Sequence, residues 1–322
     1  MFLMHKIKQL LEDFYVKELM NLNFNQGRYA YFLLRKNNLT TLDALLSIVK
    51  KAKIDLKNIG YAGNKDKKAV TEQHISIRND NRNLENLKIN NLELKFIGYN
   101  NKRINLGDNI GNEFIIVVRN LDKKYNKINF IINYFDEQRF SKSNIKIGKY
   151  LLQGKFKEIC KLLNLDYRNP LESLKRYNKK QLRFYLHSYQ SYIFNKAVSE
   201  YLKNEYKNYK EVKYSLGEFV FVDKEEKLKF PLVNFDTKFS KKEKVFFKVL
   251  KEEGIKLEQF LIRELPWLID ETLYRDVFVD VKDFKILSYE KDELNMEKHK
   301  QIISFILPKG SYATILIKQM FS

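Results

Sequence analysis

Cysteine, proline and glycine are all scarce in this chain of 322 residues, which has one cysteine, four prolines and eleven glycines. A single cysteine, Cys160, excludes an internal disulfide and any zinc site built on several cysteines. The four histidines are scattered without ligand spacing, so no metal is expected. No stretch rich in proline, glycine or serine joins one part to another, which favours an inserted domain over a tethered one.

Long apolar runs are missing as well. No stretch approaches the roughly 18 consecutive apolar residues of a membrane span. Near the N-terminus, charged residues interrupt the apolar ones too early for the core of a signal peptide. We therefore expect a soluble cytoplasmic protein with no membrane partner.

Positive charge is in excess, with 60 Lys and Arg against 40 Asp and Glu and a net charge of +20. Residues 251–300 nevertheless carry more acidic than basic residues. A bias toward A/T-rich codons is the alternative explanation for the high lysine content, but such a bias would spread the charge evenly. The uneven distribution favours a polyanion, a nucleic acid, as the partner.

Alternating apolar residues predict strands in the first 150 residues, with a hairpin across residues 14–34 that turns at 26–27. Helical spacing predicts helices at 41–50 and 187–206. Residues 302–307 and 312–317 predict a second hairpin, which rejoins the N-terminal sheet. The pattern is typical of an α+β protein with a helical insertion in the middle.

The loop at residues 63–68 sets one carboxylate, Asp66, among three lysines. Neighbouring cations favour an ionised carboxylate and attract phosphate, a combination that suits a nucleophile or base working within a polyanion. An ordinary solvated turn, with side chains bonded to its own backbone, is the alternative from these residues alone. The chain has no G-x-x-x-x-G-K-[ST] phosphate loop.

Two further segments mix aromatic and polar side chains. Residues 133–141 combine an amide, a carboxylate and an arginine with aromatics, which suits a base lifted out of its stack. A helix end with its aromatics in the core fits that segment equally well. In residues 307–317, Tyr312 follows a glycine turn, and this segment alone predicts only a hairpin.

Taken together, these segments resemble the TruD family of tRNA pseudouridine synthases. The family's block A-G-x-K-D-[KR]-x-A-V-T-x-Q stands at residues 62–73, preceded by Lys8 and by D-F-x-V-x-E at 13–18. Four more blocks follow in the family's order: G-N-x-F at 111–114, N-Y-F-x-x-Q-R-F at 133–140, Q-S-x-x-F-N at 190–195 and L-P-x-G-S-[YF]-A-T at 307–314. Asp136 and Ser141 depart from it, since they stand where the family usually has glycine, and a non-glycine residue resists positive φ.

The resemblance implies an α+β fold: a pseudouridine-synthase catalytic domain with a largely antiparallel mixed sheet, interrupted by an inserted TRUD domain. We assign residues 1–154 and 286–322 to the catalytic domain and 155–285 to the insertion. The implied enzyme is an isomerase that flips a uridine out of tRNA, at position 13, and converts it to pseudouridine. Nothing in that reaction demands a cofactor, and nothing in the sequence demands a second subunit, so a cofactor-free monomer is expected.

The resemblance also assigns roles to individual residues. Asp66 is the catalytic residue, as nucleophile or base. The residues expected to contact the substrate are Phe14, Phe135 and Tyr312 around the base, Asn133 on the uracil, and Lys8 and Lys65 beside Asp66.

Two other classes of function share parts of this pattern. A non-catalytic tRNA-binding protein or chaperone would use the same basic surface, but it gains nothing from an acid among its lysines. A methyltransferase would need a glycine-rich cofactor loop after a strand, and the sequence shows none.

Overall fold

The protein is described from a computed structural model that covers residues 5–78, 84–141 and 143–321. Residues 1–4, part of the segment considered above for a signal peptide, lie outside the described residues. The strands are, in chain order, β1 (Phe14–Leu19), β2 (Tyr29–Asn37), β3 (Ile59–Tyr61), β4 (Val70–Arg78), β5 (Leu92–Asn100), β6 (Gly111–Leu121), β7 (Phe130–Ile132), β8 (Lys210–Tyr214), β9 (Gly217–Phe221), β10 (Lys229–Leu232), β11 (Leu273–Asp276), β12 (Phe278–Asp280), β13 (Lys282–Lys291) and β14 (His299–Pro308). The α-helices are α1 (Thr41–Ala52), α2 (Asn144–Leu152), α3 (Phe156–Leu162), α4 (Pro170–Arg176), α5 (Lys179–Glu205), α6 (Val245–Glu253) and α7 (Ala313–Phe321).

The described residues form two compact units. The first unit consists of the described residues of Met1–Asn129 and Asp280–Ala313, together with Phe321. The second consists of the described residues of Phe130–Val279, together with Thr314–Met320. The second unit begins upstream of residue 155, where we expect the insertion to start. The assignment of domains to 1–154 plus 286–322 and to 155–285 stays a prediction.

A single mixed sheet forms the frame of the first unit. Among the described residues its strand order is β13-β14-β6-β1-β4-β2-β5, and β3 pairs with β4. Neighbouring strands run antiparallel except for β1 and β4, which are parallel. Helix α1 buries Ala44, Leu45 and Ile48 in a core shared with β2, β4 and β5. The predicted α+β class with a largely antiparallel mixed sheet is confirmed.

The hairpin predicted for residues 14–34 is wrong, although both of its strands form. Strand β4 lies between β1 and β2, pairing parallel with one and antiparallel with the other. Residues 20–28 that join them exceed the roughly two to five residues of most hairpin loops. Alternation of apolar residues identifies a strand but does not identify its partner, and here both partners are distant in sequence.

The C-terminal segment returns to the N-terminal sheet as predicted, because β14 pairs along its length with β6. The second strand of the predicted hairpin is wrong, since residues 313–321 form helix α7. The buried side chains of Ala313, Leu316, Ile317 and Met320 recur at spacings of three and four, which is the period of a helix.

The second unit is organised around the long helix α5, which confirms the helix predicted at 187–206 and extends it toward the N-terminus. Its first turn is capped by the side chain of Asn178, which accepts hydrogen bonds from the amides of Lys180 and Gln181. Helix α2 packs closely on α5: a Cβ on Gly148 would lie 2.3 Å from the carbonyl oxygen of Tyr185. Only glycine permits this approach.

Candidate active site

The loop between β3 and β4 carries Asp66, and buried polar groups fix its shape. The amide of Lys65 donates to Thr41 Oγ1 at 2.9 Å, and that hydroxyl donates to Gln73 Oε1 at 2.8 Å. Gln73 Nε2 in turn donates to the carbonyl of Gly63 at 3.3 Å. Thr41 and Gln73 are both buried, so these bonds are shielded from water and hold the loop in one conformation.

The side chain of Lys65 turns into the protein. Its Nζ lies 2.6 Å from Glu18 Oε1, and the two side chains are 7% and 0% exposed. Glu18 also accepts the backbone amide of His74 at 2.9 Å. Burial raises the pKa of Glu18, but hydrogen bonding from His74 and the charge of Lys65 outweigh it, so this pKa lies below its usual value. Lys65 therefore ties the loop to β1 and β4, and its predicted contact with substrate stays a prediction.

Asp66 is held at both its backbone and its side chain. Lys36 Nζ donates to the carbonyl of Asp66 at 2.8 Å and to that of Leu39 at 2.6 Å. Lys36 is fully buried, and burial lowers its pKa to about 8. The Asp66 carboxylate is 30% exposed, and its Oδ2 accepts from Lys8 Nζ at 2.6 Å. An oriented and accessible carboxylate can act as a nucleophile or as a base.

Lys8 is positioned by the residues on either side of it. The backbone of Lys6 pairs with that of Arg119 on β6, at 2.9 and 2.8 Å. The Arg119 guanidinium binds the carboxylate of Asp13, with Nη2 2.9 Å from Oδ1. Lys8 itself adopts a left-handed backbone, with φ of 58°, which a non-glycine residue rarely occupies. The aspartate of the D-F-x-V-x-E block thus anchors the segment that carries Lys8.

Phe14 lies beside the same pair. The Lys8 ammonium is 4.0 Å from the centroid of the Phe14 ring. That ring is 2% exposed and meets Phe114 edge-on at 6.2 Å. The first unit therefore brings together Lys8, Phe14, Lys65 and Asp66. Phe14 supports the ammonium through a cation–π contact, and its predicted place beside the base stays a prediction.

Asn133 and Phe135 belong to the second unit, where the structure brings them together through Arg275. Arg275 Nε donates to the carbonyl of Asn133 at 3.0 Å and Nη2 donates to Asn133 Oδ1 at 2.6 Å. The same guanidinium lies 4.1 Å from the centroid of the Phe135 ring. Asn195 brackets the backbone of Phe135, accepting from its amide at 3.0 Å and donating to its carbonyl at 2.8 Å.

The backbone accommodates Asp136, which stands where the family usually has glycine. Its φ is −85° and its ψ is 164°, an extended conformation open to any residue. The Asp136 carboxylate is buried and accepts from Thr314 Oγ1 and from Lys318 Nζ, each at 2.5 Å. This aspartate therefore contributes contacts in place of the glycine's conformational freedom.

Tyr312 lies in the first unit, half-buried between the end of β14 and the start of α7. Sequence reasoning assigned no role to Glu18 and Gln73, although both stand in quoted blocks. Lys36, Thr41 and Arg275 were also missed, and they lie outside those blocks.

In the described residues no helix is long and apolar enough to cross a membrane. Across residues 5–78, 84–141 and 143–321, no group of three His, Cys, Asp or Glu side chains could hold a metal ion.

Similar sequences extend over nearly the whole chain. The family model described as tRNA pseudouridine synthase D (TruD) matches residues 3–169 and 207–320. A tRNA pseudouridine synthase D from Aquifex aeolicus is 32% identical over 98% of this chain and 98% of its own length. Two proteins assigned to tRNA pseudouridine synthase D, from Methanococcus maripaludis and Methanocaldococcus jannaschii, are 31% and 33% identical over 98% of this chain and 99% and 91% of theirs.

The fold is also shared with a solved structure. A crystal structure of a Methanosarcina mazei protein assigned to the same group superimposes with a TM-score of 0.73, covering 99% of this chain and 94% of its own. At 24% identity this likeness concerns the fold. Of the blocks quoted above, the one at residues 190–195 lies outside the segments that the family model matches.

Proposed function

Since this chain belongs to the TruD family of tRNA pseudouridine synthases, we propose that its target is uridine 13 of tRNA and that Asp66 is the catalytic residue. The enzyme is an isomerase that converts uridine to pseudouridine in tRNA. The cytoplasm as its location and the monomer as its working form stay predictions.

One observation carries the assignment to Asp66: its carboxylate is accessible, while neighbouring lysines hold both the loop that carries it and the carboxylate. Lys36 and Lys65 are buried and hold the loop, and Lys8 holds the carboxylate itself. An acid of a merely solvated turn would not need a buried lysine on its own carbonyl. Preorganisation of this kind is what a catalytic group requires, because misplacement by about 1 Å can cost about a hundredfold in rate.

The proposed reaction breaks the bond between ribose C1′ and uracil N1, turns the uracil and joins C1′ to C5. C5 loses its proton and N1 gains one, so substrate and product are isomers. Asp66 has three possible first steps: attack on ribose C1′, attack on uracil C6, or removal of the C2′ proton. Each step needs the nucleotide within bonding distance of the carboxylate. A paired or stacked base cannot reach it, so we propose that the nucleotide flips out of its stack.

The detached uracil must remain in place while it turns, and water must be kept away from the sugar intermediate. We assign the confinement of the base to Phe135 and Tyr312, and its hydrogen-bonding contact to Asn133. An aromatic face supports a base by stacking and still permits rotation in the plane of the ring. No cofactor takes part in these proposed steps.

The experiment compares Asp66→Asn with Asp55→Asn. Asp55 is an exposed acid of the same unit, paired with Lys57, so its variant loses the same charge away from the loop. Pseudouridine is mapped by carbodiimide chemistry on total tRNA and on single transcripts, and tRNA affinity is measured in parallel. We expect Asp66→Asn to bind tRNA within about twofold of the unchanged protein and to form no product. Asp55→Asn should retain both properties.

Each alternative has its own result. Product from Asp66→Asn would overturn the role of Asp66, and product at another uridine would overturn the choice of position 13. Binding without product from the unchanged protein would favour the non-catalytic tRNA-binding protein or chaperone.

A further inference from the structure

Arg275 of β11 contacts Asn133 and Phe135, two residues that the proposed function places beside the uracil base. It stands outside every family block quoted above. Strand β11 pairs antiparallel with β10, and Arg275 lies opposite Phe230 in that register. Its guanidinium bonds to Asn133 at both the carbonyl and Oδ1, and it stacks over Phe135. The Arg275 side chain thus contacts both Asn133, which is polar, and Phe135, which is aromatic.

The amide of Asn133 is held in one of its two orientations. Its Oδ1 faces the Arg275 guanidinium at 2.6 Å, and its Nδ2 donates to the carbonyl of Asp276 at 3.0 Å. A flipped amide would set its NH₂ against a cation and its oxygen against a carbonyl, which loses both hydrogen bonds and adds two repulsions. Asn133 is 5% exposed, so water does little to compensate for these losses.

The orientation matters because an asparagine amide has further hydrogen-bonding capacity. With one contact used on each atom, Nδ2 retains one N–H and Oδ1 retains one lone pair. Uracil offers a matching edge, since its N3–H is a donor flanked by two carbonyl acceptors. Cytosine has an acceptor at N3 and a donor at its amino group. In the same position it would set acceptor against acceptor and donor against donor at the Asn133 amide, and it would pair only with the flipped amide.

We infer that Arg275 is a positioning residue that locks the Asn133 amide in a single orientation, by which the enzyme accepts uracil and rejects cytosine at the target position. The inference rests on the proposed function, and specifically on contact between Asn133 and the base. Cytosine is rejected because it would leave the Asn133 amide without hydrogen-bond partners and facing groups of the same kind. The bidentate contact explains the choice of arginine, because a lysine cannot hold both acceptors in one plane.

The test measures discrimination, which a loss of folded protein does not change. Product formation is followed on tRNA with uridine at the target position, and the same tRNA with cytidine there serves as a competitive inhibitor. The ratio of its Ki to the KM of the uridine substrate is determined for the unchanged protein, Arg275→Met and Arg275→Lys. Lys229→Gln is the matched control, because it removes one positive charge from the paired strand β10, where Lys229 is exposed and meets Asp276.

We expect Arg275→Met to lower the ratio about tenfold, the size expected when one hydrogen-bonding pair no longer discriminates between bases. The ratio for Arg275→Lys should lie between those of the unchanged protein and Arg275→Met, and Lys229→Gln should leave the ratio unchanged. A ratio that Arg275→Met does not alter, in protein that still forms pseudouridine, would overturn the inference alone. Absence of product from the unchanged protein would overturn the proposed function, and the inference with it.

Discussion

Lys8 Nζ lies 2.6 Å from Asp66 Oδ2, although the two residues are 58 positions apart in the chain. The contact depends on a left-handed backbone at Lys8 and on anchors at Lys6 and Asp13. Both side chains are partly exposed, at 19% and 30%, and pairs of this kind contribute little to stability. A strained backbone that maintains a weak pair is typical of a catalytic site.

Replacing Lys8 with methionine should therefore impair catalysis far more than stability. The variant loses the group that orients the Asp66 carboxylate, and we expect kcat to fall by about ten- to a hundredfold. The melting temperature should change by only a few degrees, since an exposed pair contributes roughly 0–1 kcal/mol. Single-turnover pseudouridine formation and thermal unfolding are the two measurements.

Lys6→Met is the control for this variant. Lys6 Nζ donates to Asn295 Oδ1 at 2.7 Å, so its side chain serves a different contact two positions away. If both methionine variants lost activity equally, the effect would belong to the anchoring of this segment or to its positive charge, and the specific orienting role of Lys8 would be wrong.

The strands could be predicted from the sequence far better than their order in the sheet. Period-two alternation located β1 and β2 to within a few residues, because alternation follows from one buried face. The parallel pairing of β1 with β4 could not be predicted, since it depends on contacts such as that between Glu18 and Lys65 across the loop. Residues 312–317 were predicted as a strand because a short apolar run fits either period.

Some residues of the candidate site could likewise be predicted from the sequence, and others could not. Asp66 and its loop could be found because the family's block is continuous in sequence. Lys36 carries a weaker signal: alternation places it on the buried face of β2 with Phe32 and Leu34, where a lysine needs a partner. Arg275 carries none, because its partners, Asn133 and Phe135, lie about 140 positions away.

Lys65→Met should destabilise the protein, because it leaves the fully buried carboxylate of Glu18 without its cation. Breaking a buried pair from one side typically costs about 3–5 kcal/mol of unfolding free energy. The double variant Lys65→Met with Glu18→Gln should lose less than the single variant, since the glutamine still accepts the His74 amide and carries no charge. Urea unfolding of the three proteins measures this, and equal stability of the single and double variants would contradict it.

Lys36 should make stability rise with pH in the alkaline range. Its pKa is lowered to about 8 by burial, from 10.5 in the unfolded chain. Between these values the unfolded state holds a proton that folded Lys36 has released, so its contribution to stability increases with pH. Below pH 8 both states are charged and the contribution is constant.

The measurement is the difference in unfolding free energy between the unchanged protein and Lys36→Met, taken by urea unfolding from pH 7 to 10. The difference should grow by up to about 1.4 kcal/mol per pH unit above pH 8. Taking a difference cancels the tyrosines of raised pKa, such as Tyr134 and Tyr189, which both proteins share. A difference that stays flat or falls across this range would show that Lys36 is not buried as a titrating group.

Three substitutions of Tyr312 separate its ring, its bulk and its hydroxyl. A ring that supports the uracil by stacking contributes about 1–3 kcal/mol, so Tyr312→Ala should lower kcat/KM by about ten- to a hundredfold. Tyr312→Leu keeps most of the apolar bulk without a flat face and should be impaired nearly as much. Tyr312→Phe keeps the face and should be nearly normal. Because Tyr312 directly precedes α7, thermal unfolding of each variant must accompany the kinetics. If the phenylalanine variant were as impaired as the alanine one, the hydroxyl rather than the face would act on the substrate.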